Sequence, residues 1–304
     1  MKKTLLFLII FSMGFFAFGQ DMINRFGPFD PSIPSPKDFF GFEVGEQMIR
    51  HDLIVAYYEK LAQVSENAQF SIYGRTYEGR KLVNLTISAA KNLKNIEEIR
   101  KNHLTFNDKY DDKLANEMPI IVNMGYSVHG NEPSAAESGI LLAYTLLASK
   151  SPQIKKYLDE AIIFMDPMLN PDGRGRFEPW TNSYKSQILA ADNDDVEHNE
   201  EWPRGRGNHY WFDLNRDWFL AIHPESRSKL KWYHQWYPNV IGDFHEMGTF
   251  SSFFFEPMKT NGSKNPIMPV ENYTTLNDIF AKYFQKEMDG IGSLYFTKDV
   301  FDGT

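Results

Sequence analysis

The stretch from Ile120 to Leu147 constrains this chain most. It opens with the apolar run Ile120-Ile121-Val122-Asn123-Met124. It then passes through Gly125-Tyr126-Ser127-Val128-His129-Gly130-Asn131-Glu132-Pro133-Ser134 into the apolar-rich segment Ala135–Leu147. A short apolar run closed by a glycine-containing turn reads as a buried strand, and the longer segment after it reads as a helix. A strand that turns directly into a helix belongs in an α/β sheet, where ligands gather beyond the carboxyl ends of the strands. His129 and Glu132 stand in that turn. We read them as two of three zinc ligands, the third to come from elsewhere in the chain.

The remaining segments supply the sheet. Gly45–Ser65 carries apolar residues near helical period, and Gln69–Tyr73 and Lys81–Ser88 read as a hairpin around Gly74–Arg80. Lys91–Lys113 is polar and reads as a surface helix and loop. Ala161–Met165 is a further strand, and the Asn-Pro and Asp-Gly pairs of Leu169–Arg176 favour turns. Residues 178–212 form a long excursion, and its acidic run Asp192–Glu201 reads as a solvated loop. Pro224–Trp236 has proline at a helix start, Val240–His245 is strand-like, and Thr274–Met288 reads as a closing helix. Strands alternating with helices predict an α/β fold, a mixed, largely parallel twisted sheet with helices on both faces in three layers.

Composition narrows the function. A net charge of −8 and a pI near 5.5 argue against a nucleic-acid binder, which usually shows a basic stripe. The absence of cysteine excludes thiol nucleophiles and cysteine-ligated zinc. Met1-Lys2-Lys3, the apolar run Thr4–Phe11 and the small residues Ala17 and Gly19 have the arrangement of a secretory signal. The expected organisation is a signal peptide over 1–19, an arm over 20–44 rich in Pro, Phe and Gly, and a catalytic domain over 45–304. The protein is then exported, periplasmic or extracellular, with no stable membrane anchor once the signal is removed.

Of the 8 histidines, His245 is the best partner for His129, because it also ends an apolar strand-like run. If the two strands are parallel neighbours, His129, Glu132 and His245 meet, giving two nitrogens and a carboxylate oxygen with the fourth zinc position open to water. Glu246 is a second-tier candidate for a base, although strand alternation turns it away from His245. Glu256, after three phenylalanines, reads as a buried paired carboxylate or a site residue.

With these residues in place, the chain resembles the zinc carboxypeptidases of the carboxypeptidase A/B type. The resemblance lies in Glu78-Gly79-Arg80, His129-Gly130-Asn131-Glu132, Asn170-Pro171-Asp172-Gly173, Asp213-Leu214-Asn215-Arg216-Asp217-Trp218 and His245, in this order. It implies one Zn2+ per chain and hydrolysis of the C-terminal peptide bond of peptides or proteins by zinc-activated water. It further implies that Asp213 holds the imidazole of His129 and that Asn215 and Arg216 bind the free C-terminal carboxylate of the substrate. An arginine near Trp202 would stabilise the oxyanion. Arg204 is the first choice and Arg206 the reserve, since Pro203 disturbs the register. Asn131 replaces an arginine usual in the family. The family's general-base Glu and closing tyrosine lie well downstream of the third ligand, so the sequence is expected to be a partial one that stops before them. Two other readings stand beside this one. One is a zinc amidase or deacylase acting on cell-wall peptides or amino-acid conjugates; the other is a non-catalytic peptide-binding module that keeps the metal site.

Overall fold

A computed structural model describes residues 24–106, 111–188, 190–247, 253–254 and 267–296. The signal-like stretch 1–19 and Glu256 lie outside the described residues. The chain divides into two compact units, Gly19–Glu246 and a second that contains Met247–Thr304.

In the first unit, a short helix α1 (Pro36–Phe40) precedes α2 (His51–Val64), and the hairpin β1 (Ala68–Arg75) and β2 (Lys81–Ile87) follows. The polar stretch after it folds as α3 (Ala90–Lys94), α4 (Ile96–Thr105) and α5 (Asp112–Glu117). Next come β3 (Ile120–Tyr126), α6 (Pro133–Ala148), α7 (Pro152–Glu160), β4 (Ala161–Asp166), α8 (Pro171–Tyr184), α9 (Pro224–Trp236) and β5 (Val240–Phe244). The strand order is β1-β2-β4-β3-β5. β1–β2 and β2–β4 pair antiparallel, whereas β3 pairs parallel with both β4 and β5.

The continuous apolar runs of β3 and β4 follow from burial on both faces. On one face Val122, Met124 and Tyr126 join Leu85, Ile87 and Met165 against Ile54, Tyr58 and Leu61 of α2 and Ile140 and Ala143 of α6. On the other, Ile121, Ile162 and Phe164 meet Trp232 and Trp236 of α9. The Phe164 ring lies 5.0 Å from that of Trp232 and 4.5 Å from that of Trp236. The result is the expected three-layer mixed sheet.

Element ends shift by a few residues from those read in the sequence, and two differences have a clear cause. The helix expected from Gly45 begins only at His51. The Met48 N–H donates to Asn182 Oδ1 at 2.9 Å and the Ile49 N–H to Glu137 Oε1 at 2.9 Å, so these donors are committed to distant side chains and not to a helical turn. The turn expected over Leu169–Arg176 instead starts α8. Asn170 caps it by accepting the Gly173 N–H at 2.9 Å, and Pro171 occupies the first helical position.

In the second unit, β6 (Phe253–Phe254) pairs parallel with β7 (Tyr295–Phe296). The closing helix runs as α10 (Val270–Thr275), a π turn over Leu276–Phe280, and α11 (Ala281–Ile291). Among the described residues, no helix is long and apolar enough to cross a membrane.

Candidate metal centre

β3 and β5 lie side by side with Gly125 opposite Asp243 and Tyr126 opposite Phe244, so their carboxyl ends open at one place. His129 follows the first end and His245 the second, while Glu132 stands just before α6. The ligand atoms that His129, Glu132 and His245 can offer all lie within 4.8 Å of one another. His129 Nδ1 is 2.8 Å from Glu132 Oε1, and His245 Nδ1 is 3.0 Å from Glu132 Oε2. Each ring turns its other nitrogen to an aspartate: His129 Nε2 to Asp213 at 2.9 Å, His245 Nε2 to Asp243 at 3.0 Å. Both Nδ1 atoms thus converge on one carboxylate.

This donor set fits zinc. Two imidazole nitrogens and a carboxylate leave room for a fourth ligand, and a carboxylate behind a ligating histidine fixes its tautomer. The electrostatics of the chain alone agree. Burial pushes the Glu132 carboxyl up, but the two histidines and the Glu246 N–H pull it down to about 2, so it is ionised. Asp243, then Glu132, push the His245 imidazole up to about 10. The cluster attracts a proton to the place where a metal cation would sit.

Around it, Asp213 caps the 3-10 turn Leu214–Arg216 by accepting the Asn215 N–H at 2.9 Å. That turn brings Asn215 Nδ2 within 3.4 Å of His245 Nε2 and leaves Arg216 at the surface. Of the two candidate arginines, the guanidinium that reaches the cluster is that of Arg206. It donates to Asp213 Oδ2 from Nη2 at 3.0 Å, and its Nη1 is 3.6 Å from Glu132 Oε1. The Arg204 side chain is exposed, and its carbonyl accepts from Arg176 Nε at 3.1 Å.

The arginine loop is pinned from below. Asn131 donates to Glu200 Oε2 at 2.8 Å, and the other oxygen of Glu200 accepts the Gly205 N–H. Asn170 Nδ2 donates to the Arg206 carbonyl at 3.0 Å. The backbones pack so closely that a Cβ on Gly130 would stand 2.1 Å from Arg174 N and 2.7 Å from the Gly205 carbonyl oxygen. The Glu-Gly-Arg turn is a brace for the same region: Arg80 Nη1 and the Thr76 hydroxyl donate to Asp172 Oδ1 at 2.8 and 2.7 Å.

The strand stops at Phe244, so the alternation expected to turn Glu246 from His245 does not extend to it, and its side chain is committed instead to the start of α6. Its carboxylate accepts the Ser134 N–H in the first turn of α6, while its own N–H donates to Glu132 Oε2 at 3.0 Å. It serves as a cap for a helix whose preceding residue makes no side-chain cap. Glu246→Ala is expected to cost about 1 kcal/mol of stability in urea unfolding, the usual size of a lost cap. An unchanged midpoint would mean that the helix end draws nothing from this carboxylate.

Asp243 is the site residue that sequence reading passed over. The signal was available: residues two apart on a strand share a face, so an Asp two before a ligating His can reach its ring.

The family model described as zinc carboxypeptidase matches residues 54–294. Among solved structures, a metallo-carboxypeptidase from Burkholderia cenocepacia matches with a TM-score of 0.54 and 16% identity, covering 84% of this chain and 55% of that one. Carboxypeptidase A from Helicoverpa armigera matches with a TM-score of 0.50 and 15% identity, covering 82% of this chain and 57% of that one. At such identities the likeness is one of fold, and the chain spans little more than half the length of these structures. No curated protein matches the sequence. The matched stretch takes in His129, Glu132, Asp213 and His245, and by that match the chain belongs to the zinc carboxypeptidase family.

Proposed function

We propose that this chain belongs to an exported metallocarboxypeptidase, with one zinc held by His129, Glu132 and His245. The observation that carries the reading is the pair of Nδ1 atoms at 2.8 and 3.0 Å from opposite oxygens of Glu132. When bound, zinc polarises a scissile carbonyl and lowers the pKa of a bound water. Asp213 accepts the Nε2–H of His129 and so leaves the Nδ1 lone pair facing the cluster. Arg206 brings positive charge to the edge of the cluster, suited to the charge that develops on a carbonyl oxygen. The Asn215 amide reaches the outer nitrogen of His245, and the exposed Arg216, whose Nη1 donates to the Asn215 carbonyl at 3.2 Å, offers a planar fork that can take a terminal carboxylate with two bonds. The leader-like residues 1–19 support export.

Zinc titration of the chelator-treated chain tests the reading. One tightly bound zinc per chain is expected, and no binding would overturn it. For the substrate, the full-length protein is expected to prefer a peptide with a free terminus over its C-terminal amide by about 10–100-fold, the loss of a charged hydrogen bond costing roughly 1.5–3 kcal/mol. Arg216→Ala should erase most of that preference; equal turnover of both peptides by the unaltered protein would remove the role of Arg216.

A further inference from the structure

His245 has two claimants for the same nitrogen. Its Nε2 lies 3.0 Å from Asp243 Oδ2 and 3.4 Å from Asn215 Nδ2. The orientation of the Asn215 amide is set on its other side, where Trp218 Nε1–H donates to Asn215 Oδ1 at 3.0 Å and turns the NH2 towards His245. A histidine binds a metal as the neutral imidazole, with a single N–H, and in that form it cannot satisfy both partners. If Nε2 carries the proton, it donates to Asp243 and the Nδ1 lone pair is free for a metal. If Nε2 accepts from Asn215, the proton moves to Nδ1, which faces Glu132, and metal binding at that nitrogen is blocked.

We infer that Asp243 is a positioning residue that selects the metal-binding tautomer of His245 against the competing amide of Asn215. The inference rests on the zinc reading of His129, Glu132 and His245. A bond to a carboxylate oxygen at 3.0 Å outweighs an amide contact at 3.4 Å, where hydrogen bonds fade. The chain supplies the geometry locally: Asp243 is in the last stretch of β5 and His245 directly follows the strand, two positions on, close enough for their side chains to meet. The choice has a second consequence. With Nε2 acting as donor, the Asn215 NH2 has no acceptor on the ring and is left to donate to a substrate. His129, by comparison, has Asp213 behind it, and the Asp213 carboxylate is itself held by Arg206 and the Asn215 N–H.

The test is zinc affinity by chelator competition, with no turnover needed. Asp243→Ala is expected to weaken zinc by about 10–100-fold, the usual cost of removing a partner behind a metal-ligating histidine. Asp243→Asn, whose amide oxygen can still accept the Nε2–H, should lose less. Adding Asn215→Ala to Asp243→Ala should restore most of the loss, because the amide that favours the wrong tautomer is gone. A role confined to supporting the strand would give no such rescue. Wild-type affinity in Asp243→Ala, or a loss that Asn215→Ala does not relieve, would overturn the inference while leaving the zinc site standing. Failure of the unaltered chain to bind zinc would overturn both.

Discussion

Replacing His245 with alanine is expected to weaken zinc binding by about 10²–10³-fold, taking one ligand's share of the roughly 10–16 kcal/mol that zinc supplies at four-ligand protein sites. The variant leaves His129 and Glu132, which are three residues apart in one turn and offer a nitrogen and a carboxylate. It also takes away one of the two partners of Glu132 Oε2, leaving the Glu246 N–H at 3.0 Å as the other. The loss has two readouts. Competition with a chelator gives the affinity directly. Thermal melting gives it through linkage, since a ligand that binds only the folded chain stabilises it by RT ln(1 + [L]/Kd). Zinc should therefore raise the melting temperature of the unaltered chain and leave His245→Ala nearly where it was. His198→Ala is the control, because His198 bonds the Ala190 carbonyl in the 3-10 turn Val196–His198 and lies outside the cluster. Equal tight zinc in wild type and His245→Ala would remove His245 from the ligand set.

The largest effect on stability is expected at Lys229. Its ammonium, on α9, is buried against the sheet, where it forms an ion pair with the fully buried Asp166 of β4 and donates to Asn123 Oδ1 of β3 at 2.9 Å. It also stands 4.0 Å from the centre of the Trp232 ring. Burial pushes the lysine towards its neutral form and the charge of Asp166 pushes it back. Lys229→Met keeps much of the aliphatic stem but leaves the Asp166 carboxylate buried without a cation. Breaking one side of a buried ion pair typically costs about 3–5 kcal/mol. Lys229→Met combined with Asp166→Leu should recover most of it, since an apolar pair of similar volume avoids the unpaired charge. Urea unfolding of the two variants measures both arms. A single variant within about 1 kcal/mol of wild type would mean that water reaches Asp166 and relieves it.

The consequence reaches the metal centre through register. Asp166 lies opposite Gly125 of β3, and Gly125 lies opposite Asp243 of β5. The pair under α9 therefore holds the strands whose ends present His129 and His245. Loss of that anchor loosens the frame on which the ligands converge, without touching the ligands themselves.

How far the sequence carried depended on how local each cause was. His129 and Glu132 were legible because a strand, a turn and a helix are set by neighbouring residues: apolar runs, a glycine, and a proline at the helix start. His245 was legible because its own strand could be read, and the rule that parallel strands open at one end did the rest. The Asp213-Leu214-Asn215-Arg216 turn was legible as a pattern, and in the structure its aspartate caps the turn from within. The layers followed from apolar runs that alternate with helical stretches.

What only the tertiary structure decided has a common physical origin: a polar group's partner lay far away in sequence. The start of α2 at His51 depends on Asn182 and Glu137, 134 and 88 positions from the backbone donors they bind. Arg204 and Arg206 flank one glycine and are alike in composition, and the contact that separates them is with Asp213 and Glu132. Glu246 became a helix cap because the end of β5 meets the first turn of α6, 112 positions away. The tautomer of His245 turns on Asp243, Asn215 and the Trp218 indole together. Local propensity places a histidine at the end of a strand; which of its nitrogens faces Glu132 is settled by the hydrogen bonds that folding brings to the other one.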